Sequence, residues 1–247
     1  MLIAGLGLTG TPIKMMDVIE HINPKEFDIT VAYKPDYPGC QLDLLDDLSN
    51  LGVRSVPLRG KGLFSLTGIL DLYDHVRKER RQIVHCWDAL EIIARMIKLL
   101  TRCRVIMSYC NPVVDKGSLF YFIVNKITSF LTDGIIFCSN AIKTNYEISK
   151  TIFIKKCQIA IIHNCININN IKKSFYDKAE IRKKYKISNN NIVLANIGYF
   201  SRQKGQIYLI EAMNRIISTA PEAKLILVGW GPLENKLRRK AKELGIN

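Results

Sequence analysis

The chain has 247 residues, 48% of them hydrophobic, with 36 Lys and Arg against 22 Asp and Glu and a net charge of +14. This is enough apolar material for one large domain or two compact ones. Seven cysteines, an odd number with no C-x-x-C spacing, argue against a disulfide framework or a zinc site and fit a reducing cytoplasm.

Short apolar runs ending at Ala4, Tyr33, Val56, Cys86, Ser108, Cys138 and His163 read as strands. Helical patterns lie between them, near residues 14–22, 41–51, 66–80, 89–101, 118–131 and 141–150. Repeated βα alternation with apolar strands predicts a doubly wound, mostly parallel α/β sheet covered on both faces. Gly5 interrupts the sequence before a signal-peptide core can form. The longest apolar stretch, Leu119-Phe-Tyr-Phe-Ile-Val124, is far too short to span a bilayer.

The first loop, Gly5-Leu-Gly-Leu-Thr-Gly10, fits G-x-G-x-x-G between a strand and a helix. A dinucleotide site also needs an acidic residue after the second strand, and Tyr33 is followed by Lys34-Pro35. The glycines then serve either a bound anion or a tight turn, with Pro12 expected at the first helical position. His85 in Val84-His-Cys-Trp-Asp88 reads as a strand-end residue, either a hydrogen-bonding group for a hydroxyl or a packed polar terminus. Asn111, in Ser108-Tyr-Cys-Asn-Pro112, offers an amide at the next strand end, while Cys110 has no neighbouring histidine to activate it. Ser139 or Asn140 is placed to cap the following helix, and His163 and Asn164 read as hinge and turn residues.

Residues 164–191 break the rhythm, rich in Asn and Lys with one short helix expected over 178–186. The reading is an N-terminal domain over 1–170, a linker over 171–191 and a second domain from 192. Between residues 143 and 186 eleven Lys or Arg face only Glu147, Asp177 and Glu180. No nucleic-acid reader motif accompanies this charge, which leaves a solvated basic face or attraction to an anionic membrane surface.

From Ile192 the pattern restarts as strand, loop, helix and strand. The apolar run over 192–197 breaks at Gly198, and Ser201-Arg-Gln-Lys-Gly205 opens a helix over 206–219. A second run, Lys224-Leu-Ile-Leu-Val228, breaks at Gly229-Trp-Gly-Pro232. Free N–H groups, helix dipole and ammonium coincide at the first loop, an arrangement suited to an anion. Two strands cannot make a covered parallel sheet, so the second domain is expected to be incomplete, with a truncation at the C-terminal end.

The stretch over 192–232 resembles the start of the donor-nucleotide domain of group 1 (family 4) glycosyltransferases of the GT-B fold, whose usual loop is Gly-Arg-Leu-x-x-x-Lys-Gly. The resemblance implies two Rossmann-like domains, an acceptor-side domain over 1–170 and a nucleotide-sugar-binding domain over 192–247. It sets Lys204 on the lysine that binds the donor diphosphate, with backbone amides around Gly205, and around Gly7 and Gly10 of the first loop, facing the same group. Tyr199 stands at the family arginine, so Arg202 is the candidate substitute. Gly229 and Gly231 match a strand end that faces the nucleotide and lets backbone approach a ligand. His85 and Asn111 match positions contacting sugar or acceptor, although Cys110 replaces the usual histidine. Thr9 and Pro12 replace a glycine and an acid of the first loop, and Cys165 replaces a glycine.

These likenesses imply sugar transfer from a nucleotide-sugar donor to a sugar or lipid-linked acceptor hydroxyl, with retention, in surface polysaccharide or glycolipid synthesis. No metal and no cofactor are implied, and the sequence holds no Asp-x-Asp pair. The family's glutamate pair lies downstream of Pro232, and Glu211, Glu234 and Glu243 do not replace it, so no catalytic residue is assigned. Expected partners are the donor, the acceptor and a peripheral anionic membrane, with no nucleic acid, and the expected location is the cytoplasm or the inner membrane face. The alternatives are a non-catalytic remnant or partner subunit, and a sugar-nucleotide epimerase of the same fold.

Overall fold

The computed structural model describes residues 1–36, 42–60, 65–113, 119–152, 157–168 and 177–246. Two compact units are formed, Met1–Asn167 and Ile168–Asn247.

The first unit runs β1 (Leu2–Ile3), α1 (Gly10–His21), β2 (Thr30–Tyr33), α2 (Leu45–Asn50), β3 (Arg54–Pro57), α3 (Leu66–Lys78) and β4 (Ile83–Trp87). It continues through α4 (Glu91–Leu100), β5 (Arg104–Tyr109), α5 (Leu119–Thr128), a 3-10 turn (Ser129–Leu131), β6 (Gly134–Phe137), α6 (Asn140–Ser149) and β7 (Gln158–Ile161). All seven expected strands are present. They form one parallel sheet in the order β3-β2-β1-β4-β5-β6-β7. Strand order therefore reverses between β1 and β4, where an open α/β sheet forms its crevice at the carboxyl ends.

Side-chain alternation divides the core between the two faces. Leu2, Ala32 and Cys86 join the cluster under α3 and α4, while Ile3, Val31, Tyr33 and Trp87 join the one under α1 and α2. Ser139 caps α6 by accepting from the Ile142 amide at 3.2 Å, and Ser65 caps α3 through the Gly68 amide at 3.1 Å. Helix α1 starts earlier than its apolar pattern, which puts Pro12 at the third helical position rather than the first. Its missing N–H costs nothing there either, because the first four amides of a helix have no intrahelical acceptor. Gln41 and Ser118, the expected first residues of two helices, lie outside the described residues, as do residues 171–176.

The second unit contains α7 (Lys178–Lys184), β8 (Ile192–Ile197), a 3-10 turn (Arg202–Lys204), α8 (Gln206–Thr219), β9 (Ala223–Val228) and α9 (Glu234–Glu243). β8 and β9 pair in parallel from Ile192↔Ala223 to Ile197↔Val228. The turn after α7 is fastened to this pair, since Asn191 Nδ2 donates to the Glu222 carbonyl at 2.9 Å. Phe200, Ile210 and Leu237 form a small buried core, while Ile192, Leu194, Ile197 and Val228 remain exposed. No described helix is long and apolar enough to cross a membrane.

Candidate functional site

In the first unit the loops after β1, β4 and β5 meet around one carboxylate. Asp88 Oδ2 accepts from Thr11 Oγ1 at 3.0 Å and from Asn111 Nδ2 at 2.9 Å, and Oδ1 accepts from the Cys110 amide at 3.0 Å. Thr11 belongs to the first turn of α1, so the glycine loop, the β4 end and the β5 end are joined through a single side chain. Asp88 and Ala89 have φ of 48° and 52°, a left-handed conformation uncommon outside glycine that turns the carboxylate into the crevice. Burial pushes the Asp88 carboxyl above its ordinary range, opposed by the three hydrogen bonds it accepts.

The glycine loop is shaped by its own backbone. The Thr9 amide donates to the Gly7 carbonyl at 2.7 Å, and Asp43 Oδ2 accepts from the Leu8 amide at 3.2 Å. Gly7 is buried beneath this turn, whereas Gly10 is exposed at the start of α1, with open space where a Cβ would stand.

His85 is not at the strand end. β4 runs on to Trp87, so the residue that leaves the strand is Asp88. The imidazole is bonded through Nε2 to Ser108 Oγ at 2.7 Å, lies tilted by 31° against the Trp87 ring at 4.8 Å, and lines a cavity of about 200 Å³ with Lys14, Cys110 and Cys138. Burial, helped by the amino-terminal charge, lowers its pKa to about 4, so it is neutral at physiological pH. Burial likewise raises the Cys110 thiol to about 12, which keeps it protonated and unsuited to nucleophilic attack.

In the second unit the loops after β8 and β9 extend the pairing of their strands. The Gly198 amide donates to Val228 O at 2.9 Å, the Phe200 amide to Trp230 O at 2.7 Å, and the Leu233 amide to Phe200 O at 3.2 Å. A Cβ at Gly229 would lie 2.0 Å from Gly198 O, and one at Gly231 would lie 2.7 Å from Phe200 N and O. Close packing of the backbone on itself requires glycine at both positions.

Ser201 leads into the 3-10 turn that carries Arg202 and Lys204. Gly205, left-handed at φ 67°, redirects the backbone into α8. Gln206 is buried and donates through Nε2 to Tyr199 O at 3.1 Å, bracing the loop from beneath. Arg202 and Lys204 are exposed and form no ion pair among the described residues. Two free cations thus stand beside the open amides of a helix N-terminus. Tyr199 and Trp230 meet edge to face at 4.7 Å, each 38% exposed.

Sequence reasoning missed three features: Asp88, its partner Thr11, and the Tyr199–Trp230 pair. The signal for the pair was an aromatic residue directly after each strand-end glycine. Asp88 had only its place between β4 and α4. Among the described residues no group of three His, Cys, Asp or Glu could hold a metal ion.

Comparison with known proteins adds to this geometry. Residues 177–247 match the family model described as glycosyl transferases group 1. An uncharacterized glycosyltransferase of Methanocaldococcus jannaschii is 34% identical over 92 residues, 37% of this chain and 22% of that protein. A GDP-mannose-dependent monoacylated alpha-(1-6)-phosphatidylinositol monomannoside mannosyltransferase of Corynebacterium glutamicum is 38% identical over 71 residues, 29% of this chain and 19% of that protein. Among solved structures, Anabaena HepE in complex with UDP and glucose superposes with a TM-score of 0.75 at 14% identity, covering all of this chain and 66% of HepE. The fold is that of the GT-B glycosyltransferases. The matches span about a fifth of each curated relative and just under two thirds of HepE.

Proposed function

We propose that this protein, whose residues 177–247 belong to the group 1 glycosyltransferases, works in the transfer of a sugar from a nucleotide-sugar donor to an acceptor hydroxyl, with retention of anomeric configuration. The observation that carries the proposal is the Arg202–Lys204 turn, with two unpaired cations at the N-terminus of α8 inside the matched segment. As the glycosidic bond breaks, the diphosphate leaving group gains negative charge. Preorganised cations and amide N–H groups aimed at that charge lower the barrier without rearranging at the moment of reaction.

In this reading Lys204 and Arg202 hold the diphosphate, with the Gly205 amide beside them. The loops of Gly229 and Gly231 face the nucleotide. Asn111, oriented by Asp88, meets sugar or acceptor, and His85 contributes through the shape of its cavity. The residues to about 170 supply the acceptor side and those from 192 the donor side. The charge is met by side chains, so no divalent ion or cofactor is assigned. A membrane-borne acceptor of glycolipid or surface-polysaccharide synthesis fits the +14 charge and the phosphatidylinositol-linked acceptor in the name of the Corynebacterium relative. In this reading the protein works at the cytoplasmic face of an anionic membrane.

Titration calorimetry with UDP- and GDP-sugars tests the donor assignment. Lys204→Ala should weaken binding by about 1.5–3 kcal/mol, the worth of a hydrogen bond to a charged group, and Arg202→Ala should weaken it measurably. Unchanged affinity in both variants refutes the assignment. A second reading, a non-catalytic partner of such an enzyme, draws on the exposed Ile192, Ile197 and Val228 of the two-stranded sheet. Binding without turnover of a labelled donor, in the presence of lipid acceptors, would favour it.

A further inference from the structure

A surface helix ordinarily buries its apolar stripe and shows water its polar one. Helix α5 does the reverse. Its inward face is polar: Tyr121 Oη donates to Glu91 Oε1 at 2.9 Å, and buried Asn125 accepts from Arg95 Nη1 through Oδ1 at 2.5 Å and through its carbonyl at 3.1 Å. Arg95, fully buried on α4, also donates to Thr132 Oγ1 and to Tyr109 Oη, both at 3.0 Å. The outward face is apolar. Leu119 is 74% exposed, Ile123 45%, Ile127 57% and Phe130, in the following 3-10 turn, 55%. Their spacing puts them in one line along the helix. Leu99, one turn beyond Arg95 on the adjoining α4, is exposed as well.

The two faces are coupled. Rotating α5 to hide the stripe would strip a buried guanidinium of its acceptors, one of the costlier changes a folded protein can suffer. The buried polar network therefore keeps the apolar stripe facing outward. Contiguous apolar surface of this kind marks a contact site. Its described surroundings are cationic: Arg102 and Arg104, after α4, are exposed and Lys126 lies on α5 itself, while Asp133 is paired with Lys98.

We infer that α5 is the membrane-contacting element of this protein, lying in the plane of an anionic bilayer with Leu119, Ile123, Ile127 and Phe130 at the acyl boundary and neighbouring cations at the lipid phosphates. The inference rests on the membrane contact of the proposed function and on none of its chemistry, so its test needs neither donor nor acceptor.

The test is flotation of the whole protein with phosphatidylcholine vesicles, with and without phosphatidylglycerol, a format in which aggregates sink. The wild type should float with the anionic vesicles. Ile123→Glu/Ile127→Glu should lower partitioning at least tenfold with an unchanged circular dichroism spectrum. Leu66→Glu/Ile148→Glu, the same charge change at two other strongly exposed positions, should float as the wild type does. Ile127→Trp supplies a reading independent of charge: its emission, relative to wild type, should shift to the blue on adding anionic vesicles. No flotation of the wild type, equal flotation of the α5 double variant, or no blue shift would overturn the inference. So would a wild-type dimer that the α5 substitutions split into monomers, which would mean that a second copy covers the stripe.

Discussion

Both parallel sheets end in a glycine turn that opens a helix, yet the two turns are held in opposite ways. In the first unit, side chains fasten the loops: Thr11, Asn111 and the Cys110 amide converge on Asp88, above a sheet of seven strands. In the second unit, backbone fastens the loops: Gly198 and Phe200 bond directly to the β9 turn, and Gly229 and Gly231 leave no room for a Cβ. The difference shows where sequence is free to vary. A loop tied by side chains can carry Thr9 and Pro12 in place of other residues, whereas a loop tied by backbone contact admits only glycine at its contact points.

The largest expected effect tests that contrast directly. Gly229→Ala combines a left-handed backbone with a 2.0 Å clash and should cost roughly 3 kcal/mol or more. On a two-stranded sheet this should unfold the second unit alone, seen as loss of amide-exchange protection in β8 and β9 with β4 and β5 unchanged. Gly10→Ala, which meets nothing within 4 Å, should be neutral or stabilise by up to about 1 kcal/mol.

Acid should separate the units next. The folded His85 has a pKa lowered to about 4 from an ordinary 6.5, so below pH 6.5 the unfolded state takes a proton that the folded state refuses. Stability from this group is complete above pH 6.5 and is lost as pH falls toward 4, by up to about 3 kcal/mol at 1.36 kcal/mol per unit. Asp88 works the other way: its raised folded pKa means that proton uptake just above the ordinary carboxylate range favours the folded state, offsetting part of the loss. Denaturant titration of the first unit at pH 7 and pH 4.5 should show the decline, and His85→Gln should reduce it.

A smaller effect probes the Asp88 junction. Thr11→Val keeps side-chain shape but removes one of three donors to a buried carboxylate. It should cost about 1–1.5 kcal/mol and loosen α1 without touching the second unit. A loss spread over both units, measured by amide exchange, would contradict the local role given to this bond.

Much of this architecture was legible in the sequence because apolar periodicity is local. Every strand of both sheets fell where its run of residues implied, and α8 spans Gln206–Thr219 as its spacing predicts. What local pattern could not reveal were partners distant in sequence. His85 reads as a strand end until β5 pairs with β4 and carries both strands further. Asp88 carries no local pattern that shows its role, because Thr11, which bonds to it, lies 77 positions away. Gly229 and Gly231 read as glycines of a strand-end turn, and their local sequence does not show that Gly198 and Phe200 pack against them. The run over 119–124 reads only as too short to span a bilayer, because nothing in its composition says that Arg95 will claim the polar face of the helix and leave the apolar one outside.

The central claim is that the second unit holds the diphosphate of a nucleotide sugar at the turn of Arg202 and Lys204. Backbone amide shift mapping by NMR tests it most directly, since it detects even weak binding and locates it. Titrated with UDP, UDP-glucose and GDP-mannose, the protein should show its largest perturbations in residues 198–206 and 229–233, and Lys204→Ala should shift them to at least tenfold higher ligand concentration while leaving the spectrum of the free protein otherwise unchanged. Perturbations absent from those two loops, or reached at the same ligand concentration in Lys204→Ala, would contradict the account.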